Sequence, residues 1–181
     1  MQNLSYRQPP LHILRNEKQA ERRQRGEDFQ EELRRSWRLL PNLWRLRITD
    51  GSGLGTRPAD ELVITEKVNL LCEAKRTDGD RFLLSMLRPD QRTGLLKFEQ
   101  AVSRNRGYVL ISFLNEAVDA AYAFRFLDAL LYMRQQNRQY ITLAELQQGK
   151  IEAVNLPRIS IDEELGYDLK GVVELEHITK Q

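Results

Sequence analysis

Apolar positions in the first third of the chain follow helical spacing. Residues 27–40 carry apolar side chains every three or four positions, which predicts an amphipathic helix that ends before Pro41. The stripe expected to pack into the core comprises Phe29, Leu33, Trp37 and Leu40. Residues 11–25 also have a helical composition but are mostly polar, and Gly26 is predicted to interrupt the helix between the two stretches. A polar helix of this kind needs a partner, DNA or another subunit, to be well ordered.

Farther along, alternating and β-branched stretches predict strands. These stretches are residues 43–48, 61–65, 68–74, 108–113 and 120–126. A helix is predicted at 90–103, and the last strand is predicted to run into a helix that continues to 136. A short helix is predicted at 141–147, with Thr142 as its N-cap and Glu145 at the third position, as in a capping box. Helices alternating with strands in this order favour an α/β fold.

Several features receive structural interpretations. Residues 1–10, with two prolines and little apolar pattern, are predicted to form a mobile arm. Trp37 and Trp44 each lie in an apolar pattern, so both are predicted to pack inside. The single cysteine, Cys72, is expected to be a small core residue. Because His12 and His177 are far apart and have no ligand partners at useful spacing, a zinc site is not expected.

Length and composition favour one domain. The chain has 181 residues, of which 41% are hydrophobic and 30% charged, typical of a globular protein with a strongly solvated surface. No apolar run approaches the roughly 18 residues of a membrane span, and the first 14 residues lack the apolar core of a signal peptide. We therefore expect a cytoplasmic protein.

Charge is distributed unevenly along the chain. Residues 1–50 contain eleven Arg or Lys against seven acids, whereas 151–181 contain three against seven. Arginine dominates the basic set, and its planar guanidinium suits bidentate contacts with phosphate, which fits a polyanion partner. The alternative is that these arginines form solvated helix faces. Residues 11–25 and the acidic tail are candidates for subunit or DNA contacts.

The candidate chemistry lies between residues 58 and 75. Asp60 precedes the predicted strand pair, and Glu73 and Lys75 lie two apart near its end, so their side chains project to one face. Ala74 points to the other face and leaves its carbonyl oxygen free to bind a metal. Carboxylate and carbonyl oxygens are the ligands that Mg²⁺ prefers, and a lysine beside a metal-bound water can orient it. The alternative is a surface Glu-Lys pair at a strand end.

Asp60 and Glu73-Ala74-Lys75 resemble the PD-(D/E)xK nuclease motif, and their surroundings resemble the RecU-type Holliday junction resolvases of Gram-positive bacteria and their phages. The likeness spans residues 25–160 in the expected order. The further stretches that carry it are Arg25-Gly26 with the helix that follows, Glu73-Ala74-Lys75-Arg76-Thr77, Leu87-Arg88-Pro89-Asp90-Gln91 with the helix and the strand Gly107–Phe113 after it, and Leu156-Pro157-Arg158-Ile159.

The resemblance implies a restriction-endonuclease-like α/β fold, a central mixed β-sheet flanked by helices. Residues 1–25 would form a basic helical arm and 26–181 the nuclease domain. It also implies a homodimeric endonuclease, dependent on Mg²⁺ or Mn²⁺, that nicks four-way DNA junctions in recombination or repair.

Site roles carry over by position. Asp60, Glu73 and the Ala74 carbonyl would bind metal, and Lys75 would be the general catalyst. Gln91 would line the site near the substrate or water, or be only a surface or capping residue. DNA contacts are assigned to Arg22, Arg23, Arg25, Arg57, Arg76 and Arg88.

The chain departs from the family pattern at two places. Gln30 stands where the opening helix usually has a glutamate; its neutral carbonyl oxygen can still bind metal, but more weakly. Only residues 50–59 occupy the position of the long insertion that forms a stalk in RecU-type enzymes. Two alternatives therefore stay open: a PD-(D/E)xK nuclease for flaps, ends or linear duplex, and a non-catalytic DNA-binding recombination module on the same fold.

Overall fold

A six-stranded mixed β-sheet forms the centre of the protein. The computed structural model describes residues 11–49 and 57–174. Its strands are β1 Leu43–Arg47, β2 Glu61–Thr65, β3 Asn69–Thr77, β4 Arg81–Leu83, β5 Asn105–Leu114, β6 Asp119–Arg125, β7 Tyr140–Thr142, β8 Ala153–Asn155, β9 Arg158–Ile161 and β10 Glu164–Tyr167. Its helices are α1 Leu11–Trp37, α2 Pro89–Ala101, α3 Phe126–Gln135, α4 Leu143–Gln147 and α5 Lys170–Val173.

The strand order of the central sheet is β1-β2-β3-β5-β6-β8. Only β3 and β5 run parallel, and the other neighbours are antiparallel. Two small sheets, β4-β7 and β9-β10, lie outside it. The predicted α/β class, with a central mixed sheet flanked by helices, is confirmed.

Helices cover both faces of the sheet. Alternate residues of β3 and β5 point in opposite directions, so each strand contributes to two cores. On one face Leu70 and Leu110 pack with the apolar stripe of α1. On the other, Leu71 and Val109 pack with side chains of α2 and α3. Burial on both faces accounts for the nearly continuous apolar sequence of β5.

Close approach of α2 depends on two glycines. A Cβ on Gly107 of β5 would lie 2.7 Å from the Leu95 carbonyl oxygen, and one on Gly94 would lie 2.6 Å from the Pro58 side chain. The absent side chains let α2 lie directly against β5 and against the segment that leads into Asp60. The helix therefore helps to position that aspartate.

The structure corrects the predicted break in the first helix, because α1 continues through Gly26. A glycine inside a helix costs only about 1 kcal/mol relative to alanine. Side-chain contacts one turn apart span it, an ion pair between Arg23 and Glu27 at 3.0 Å and a hydrogen bond from Gln24 to Asp28 at 2.8 Å. These contacts help to offset the cost.

A second correction concerns Trp44, which is 56% exposed, whereas Trp37 is buried as predicted. Trp44 lies on β1, the edge strand, and pairs with Ile64 of β2. Its face of β1 points away from α1. The apolar pattern identified the strand but not which of its faces the helices cover.

The remaining predictions concern the length of one strand, the burial of the cysteine, and segments that lie outside the described residues. The strand predicted at 68–74 is longer than expected, since β3 extends through Thr77. Cys72 is buried as expected, and burial raises the pKa of its thiol. The predictions for residues 1–10, for most of the loop 50–58 and for His177 lie outside the described residues. None of the helices in the described ranges combines the length and apolar character needed to cross a membrane.

Candidate active site

Asp60 is held against the edge of β3 at the point where β2 begins. Its backbone N–H donates to the Cys72 carbonyl at 3.0 Å, and its own carbonyl accepts from Ile48 at 2.8 Å. Its carboxylate atom Oδ2 accepts a hydrogen bond from the Ala74 N–H at 2.8 Å. The side chain is buried. These contacts place a carboxylate beside the strand that carries Glu73 and Lys75.

The carbonyl of Ala74 lies at a free edge of β3. The pairing of β2 with β3 stops at Glu61 opposite Cys72, two residues before Ala74. The N–H and C=O of one strand residue point to the same side. Because the Ala74 N–H points to Asp60, its carbonyl also faces the side where β2 has ended. The expected backbone ligand is thus close to Asp60.

Glu73 has two carboxylate oxygens in different surroundings. Oε1 accepts hydrogen bonds from the Lys75 ammonium at 2.5 Å and from the Gln91 side-chain amide. Oε2 is buried and has no hydrogen-bond partner. The whole residue is only 1% exposed. A buried carboxylate oxygen without a partner is energetically costly, so this atom is suited to a cation.

The pKa of Glu73 also indicates a carboxylate that is suited to a cation. Burial, and then the charge of Asp60, raise the pKa of Glu73 to about 7, against the lowering effect of Lys75. The carboxylates of Glu73 and Asp60 are therefore held near each other in a partly desolvated environment. Lys75 offsets only part of the resulting rise in the pKa of Glu73.

Gln91 connects this site to α2. It is buried in the first turn of the helix, where its side-chain oxygen accepts from the Arg88 N–H at 2.9 Å. Its amide nitrogen donates to Glu73 Oε1. Gln91 is therefore both a capping residue and a neighbour of Glu73, which combines the two interpretations that the sequence allowed.

Gln30 lies near Asp60 and Ala74 on the α1 side of the sheet, whereas Glu73 contacts Gln91 on the α2 side. Together with Asp60 and Ala74, Gln30 lines a cavity of about 10 Å³, close to the volume that one water requires. Within the described ranges, no three His, Cys, Asp or Glu side chains form a metal-binding group. A metal bound here would therefore need backbone, amide or water oxygens in addition to Asp60 and Glu73.

Arg57 is the main residue of the site whose contact the sequence did not reveal. Its guanidinium forms an ion pair with Asp60 Oδ1 and a hydrogen bond to the Ala59 carbonyl at 3.2 Å. Both oxygens of Asp60 therefore have protein partners. Only Pro58 and Ala59 separate Arg57 from Asp60, but this short sequence does not by itself predict that the two side chains form an ion pair.

The other arginines assigned to DNA have different surroundings. Arg22 and Arg25 line an open groove of about 620 Å³ at the end of β3, where Arg25 pairs with Asp78 at 2.9 Å. Arg23 and Arg88 are exposed. Arg76 also lines this groove, but its side chain is only 3% exposed and pairs with Glu32, so it packs between elements in this structure. Its assignment to DNA stays a prediction.

No protein-family model matches the chain, and no curated protein matches it in sequence. Among solved structures, the chain is similar to the 1.6 Å structure of Hjc, a Holliday junction resolvase from the archaeal hyperthermophile Archaeoglobus fulgidus. The two share 17% sequence identity, the match covers 65% of this chain and 86% of Hjc, and the TM-score is 0.45. This likeness is too distant to indicate the function of the chain.

Proposed function

We propose that this protein is a metal-dependent endodeoxyribonuclease. The observation that carries the proposal is the buried, unpartnered Oε2 of Glu73, held near Asp60 and beside Lys75. An acceptor oxygen kept from water in this way calls for a cation. Lys75, which contacts the other oxygen of the same carboxylate, could stabilise the negative charge that develops on an attacked phosphate.

The available donors suit Mg²⁺ or Mn²⁺. They are all oxygens: the carboxylates of Asp60 and Glu73, the Ala74 carbonyl and the Gln30 amide. Mg²⁺ usually takes one or two protein carboxylates and keeps several waters, so the absence of a third described acid is compatible with it. When bound, the metal would supply Lewis-acid stabilisation and a more acidic water.

The protein side chains would divide the remaining work. Lys75 would orient the attacking water and stabilise charge on the phosphate. Gln91 would position Glu73 by donating to Oε1, which leaves Oε2 directed to the metal. Asp60 is fixed by the Ala74 N–H and needs no rearrangement of its backbone.

Within this proposal the substrate is branched DNA, first of all a four-way junction. The support is the resemblance of the sequence to RecU-type resolvases, together with the arginines at the open groove near the end of β3. A homodimer would place two sites on opposed strands of a symmetric junction. Sedimentation with and without junction DNA tests this, and a monomer in both conditions would contradict it.

The central test is to measure nicking of a labelled four-way junction with Mg²⁺ by Asp60→Asn and Lys75→Ala. We expect each to lower the rate by at least about 100-fold, because each removes charge from the reacting centre. Asp162→Asn and Lys97→Ala are matched controls at exposed positions. Circular dichroism checks that the variants fold. Undiminished cleavage by Asp60→Asn or Lys75→Ala would refute the assignment.

Substrate class is tested by comparing cleavage of a junction, a flap and a linear duplex. Faster junction cleavage supports a resolvase. Equal rates on all three would leave a general PD-(D/E)xK nuclease for other DNA substrates.

A second candidate function is a non-catalytic DNA-binding module, favoured by the engagement of both Asp60 oxygens with Arg57 and the Ala74 N–H. Titration calorimetry with Mg²⁺ and Mn²⁺ separates the two. If neither metal binds and no DNA is cut, while junction affinity falls steeply with salt, this second function is correct.

A further inference from the structure

Four arginines come together where α1 meets the edge strand β1. Arg34 lies in the last turn of α1, and Arg38 directly follows the helix, in the turn that leads to β1. Arg45 and Arg47 alternate on β1 and so share a face of the strand. Burial and then three neighbouring guanidinium groups lower the pKa of Arg34; those groups belong to Arg47, Arg38 and Arg45. We name these four residues the β1 arginine cluster.

Acidic residues neutralise only half of the cluster. Arg34 pairs with Glu31, and Arg45 pairs with Glu61 at 3.1 Å. Arg38 and Arg47 are exposed and form no ion pair with any residue in ranges 11–49 and 57–174. In addition, the Nε atom of Arg34 is buried without a hydrogen-bond partner. The cluster thus keeps an excess of positive charge and an unused donor.

Holding like charges together raises the free energy of the folded protein, and an external anion would lower it. The position of the cluster indicates which anion. Arg47 lines the same small cavity as Asp60 and Ala74, so the cluster begins beside two of the candidate metal ligands. From there it continues outward to Arg38 on an exposed surface. A ligand that reaches both ends must carry repeated negative charge on an extended chain.

We propose that the β1 arginine cluster binds the DNA backbone beside the cleaved phosphodiester, with Arg38 and Arg47 each contacting a phosphate. This inference rests on the proposed nuclease function and adds a binding surface to it, since the sequence assigned none of these four arginines to DNA. Guanidinium groups suit the site because their planar donors bind phosphate oxygens in pairs. The cluster lies on the α1 side of β1 and would hold the strand on that side of the active site.

The test measures binding rather than cleavage. Arg38→Gln/Arg47→Gln is compared with wild type by fluorescence anisotropy on a labelled four-way junction, without divalent metal, across a salt series. We expect the double variant to bind about 10- to 60-fold more weakly at 0.1 M salt. The slope of log affinity against log salt should fall by about 2, one for each lost phosphate contact. The control, Lys97→Gln/Arg134→Gln, removes equal charge from exposed positions on α2 and α3, on the other face of the sheet.

The outcomes separate this inference from the proposed function. If the cluster variant binds the junction as tightly as the control variant does, the cluster is not a DNA site, even if wild type cleaves junctions normally. A loss of junction affinity and of salt slope in the cluster variant alone supports the cluster as a DNA site. This holds even if Asp60→Asn and Lys75→Ala cleave DNA as wild type does and so refute the proposed active site. Circular dichroism of both double variants excludes misfolding as the cause of a loss.

Discussion

At the scale of single residues, Arg57 and a metal ion would compete for Asp60. The guanidinium neutralises a buried carboxylate in the protein described here, which is the task that a bound cation would perform. Under the proposed function, Arg57 would have to release Asp60, at least in part, for a metal to bind. Such a site would be stable without metal but would bind metal less tightly than an open pair of carboxylates.

This competition predicts the behaviour of Arg57→Gln. Without metal, the free energy of unfolding of the variant should be about 1–3 kcal/mol lower than that of wild type, since Asp60 loses its charged partner. Mn²⁺ should then raise its melting temperature by more than it raises that of wild type. Thermal melts with and without Mn²⁺ measure both effects, and Arg104→Gln at an exposed position is the control. An equal rise in wild type and variant would contradict competition.

The chemistry at this scale was partly predictable from the sequence. Strand alternation was enough to place Glu73 and Lys75 on one face, and the structure gives them a 2.5 Å contact. The partners of Gln91 and Arg57 were not predictable, because they depend on the distance between α2 and β3 and on the path of the chain before Asp60. Long-range packing determines both the distance and the path, and the order of apolar and polar residues along the chain does not predict it.

At the scale of elements, α4 shows a local sequence signal confirmed in detail. Thr142 caps the helix by accepting from the Glu145 N–H, and the Glu145 carboxylate accepts from the Thr142 N–H at 2.9 Å, as a capping box requires. Tyr132 donates to the same carboxylate at 2.7 Å, and Arg138 pairs with it. The capping box was predictable, whereas the contacts from α3 and the turn after it were not.

Glu145 makes the stability of this region depend on pH. Burial alone would raise the pKa of Glu145, but hydrogen bonds from Thr142, Tyr132 and Arg138 lower it to about 2. Its carboxylate therefore stabilises the fold fully above about pH 4.5, and this contribution is lost as pH falls toward 2. Glu145→Gln should cost about 1–2 kcal/mol at pH 7. Urea unfolding at pH 7 and pH 3 measures whether the difference shrinks at the lower pH, and a constant difference would contradict it.

Long periodic elements were predictable, and short ones were not. The strands and helix around the site, β2, β3, α2 and β5, follow apolar patterns of five residues or more. The missed strands, β4 and β7–β10, have three or four residues each, too few for alternation to be distinctive. Their strand conformation depends on a partner elsewhere in the chain, as in the pairing of β4 with β7.

At the scale of the whole molecule, Arg76 joins the first helix to the last hairpin. Its guanidinium pairs with Glu32 of α1, donates to Ser112 of β5 at 3.1 Å and to Tyr167 of β10 at 3.2 Å, and lies 4.9 Å from the centre of the Phe29 ring. Elements from both ends of the described chain therefore depend on one buried charge on β3, the strand that carries Glu73 and Lys75.

Arg76→Ala should lower the free energy of unfolding by about 3 kcal/mol, because it leaves Glu32 partly unpaired in the interior. Arg158 also contacts Glu32, at 3.0 Å, which keeps the loss from being larger. Urea unfolding monitored by circular dichroism measures the change. Arg81→Ala, at a position with 52% of its side chain exposed, should change stability by less than about 0.5 kcal/mol. A similar small effect for Arg76→Ala would contradict the structural role given to its buried guanidinium.

The contrast between the two tryptophans provides an intrinsic optical probe. Trp37 is sealed in the core and Trp44 is 56% exposed on β1, next to Arg45 of the β1 arginine cluster. An aqueous quencher such as iodide will reach the indole of Trp44 and not that of Trp37, so the quenchable part of the emission comes from the sheet edge alone. Unlabelled protein can therefore report events at that edge, while the unquenched part reports the integrity of the core.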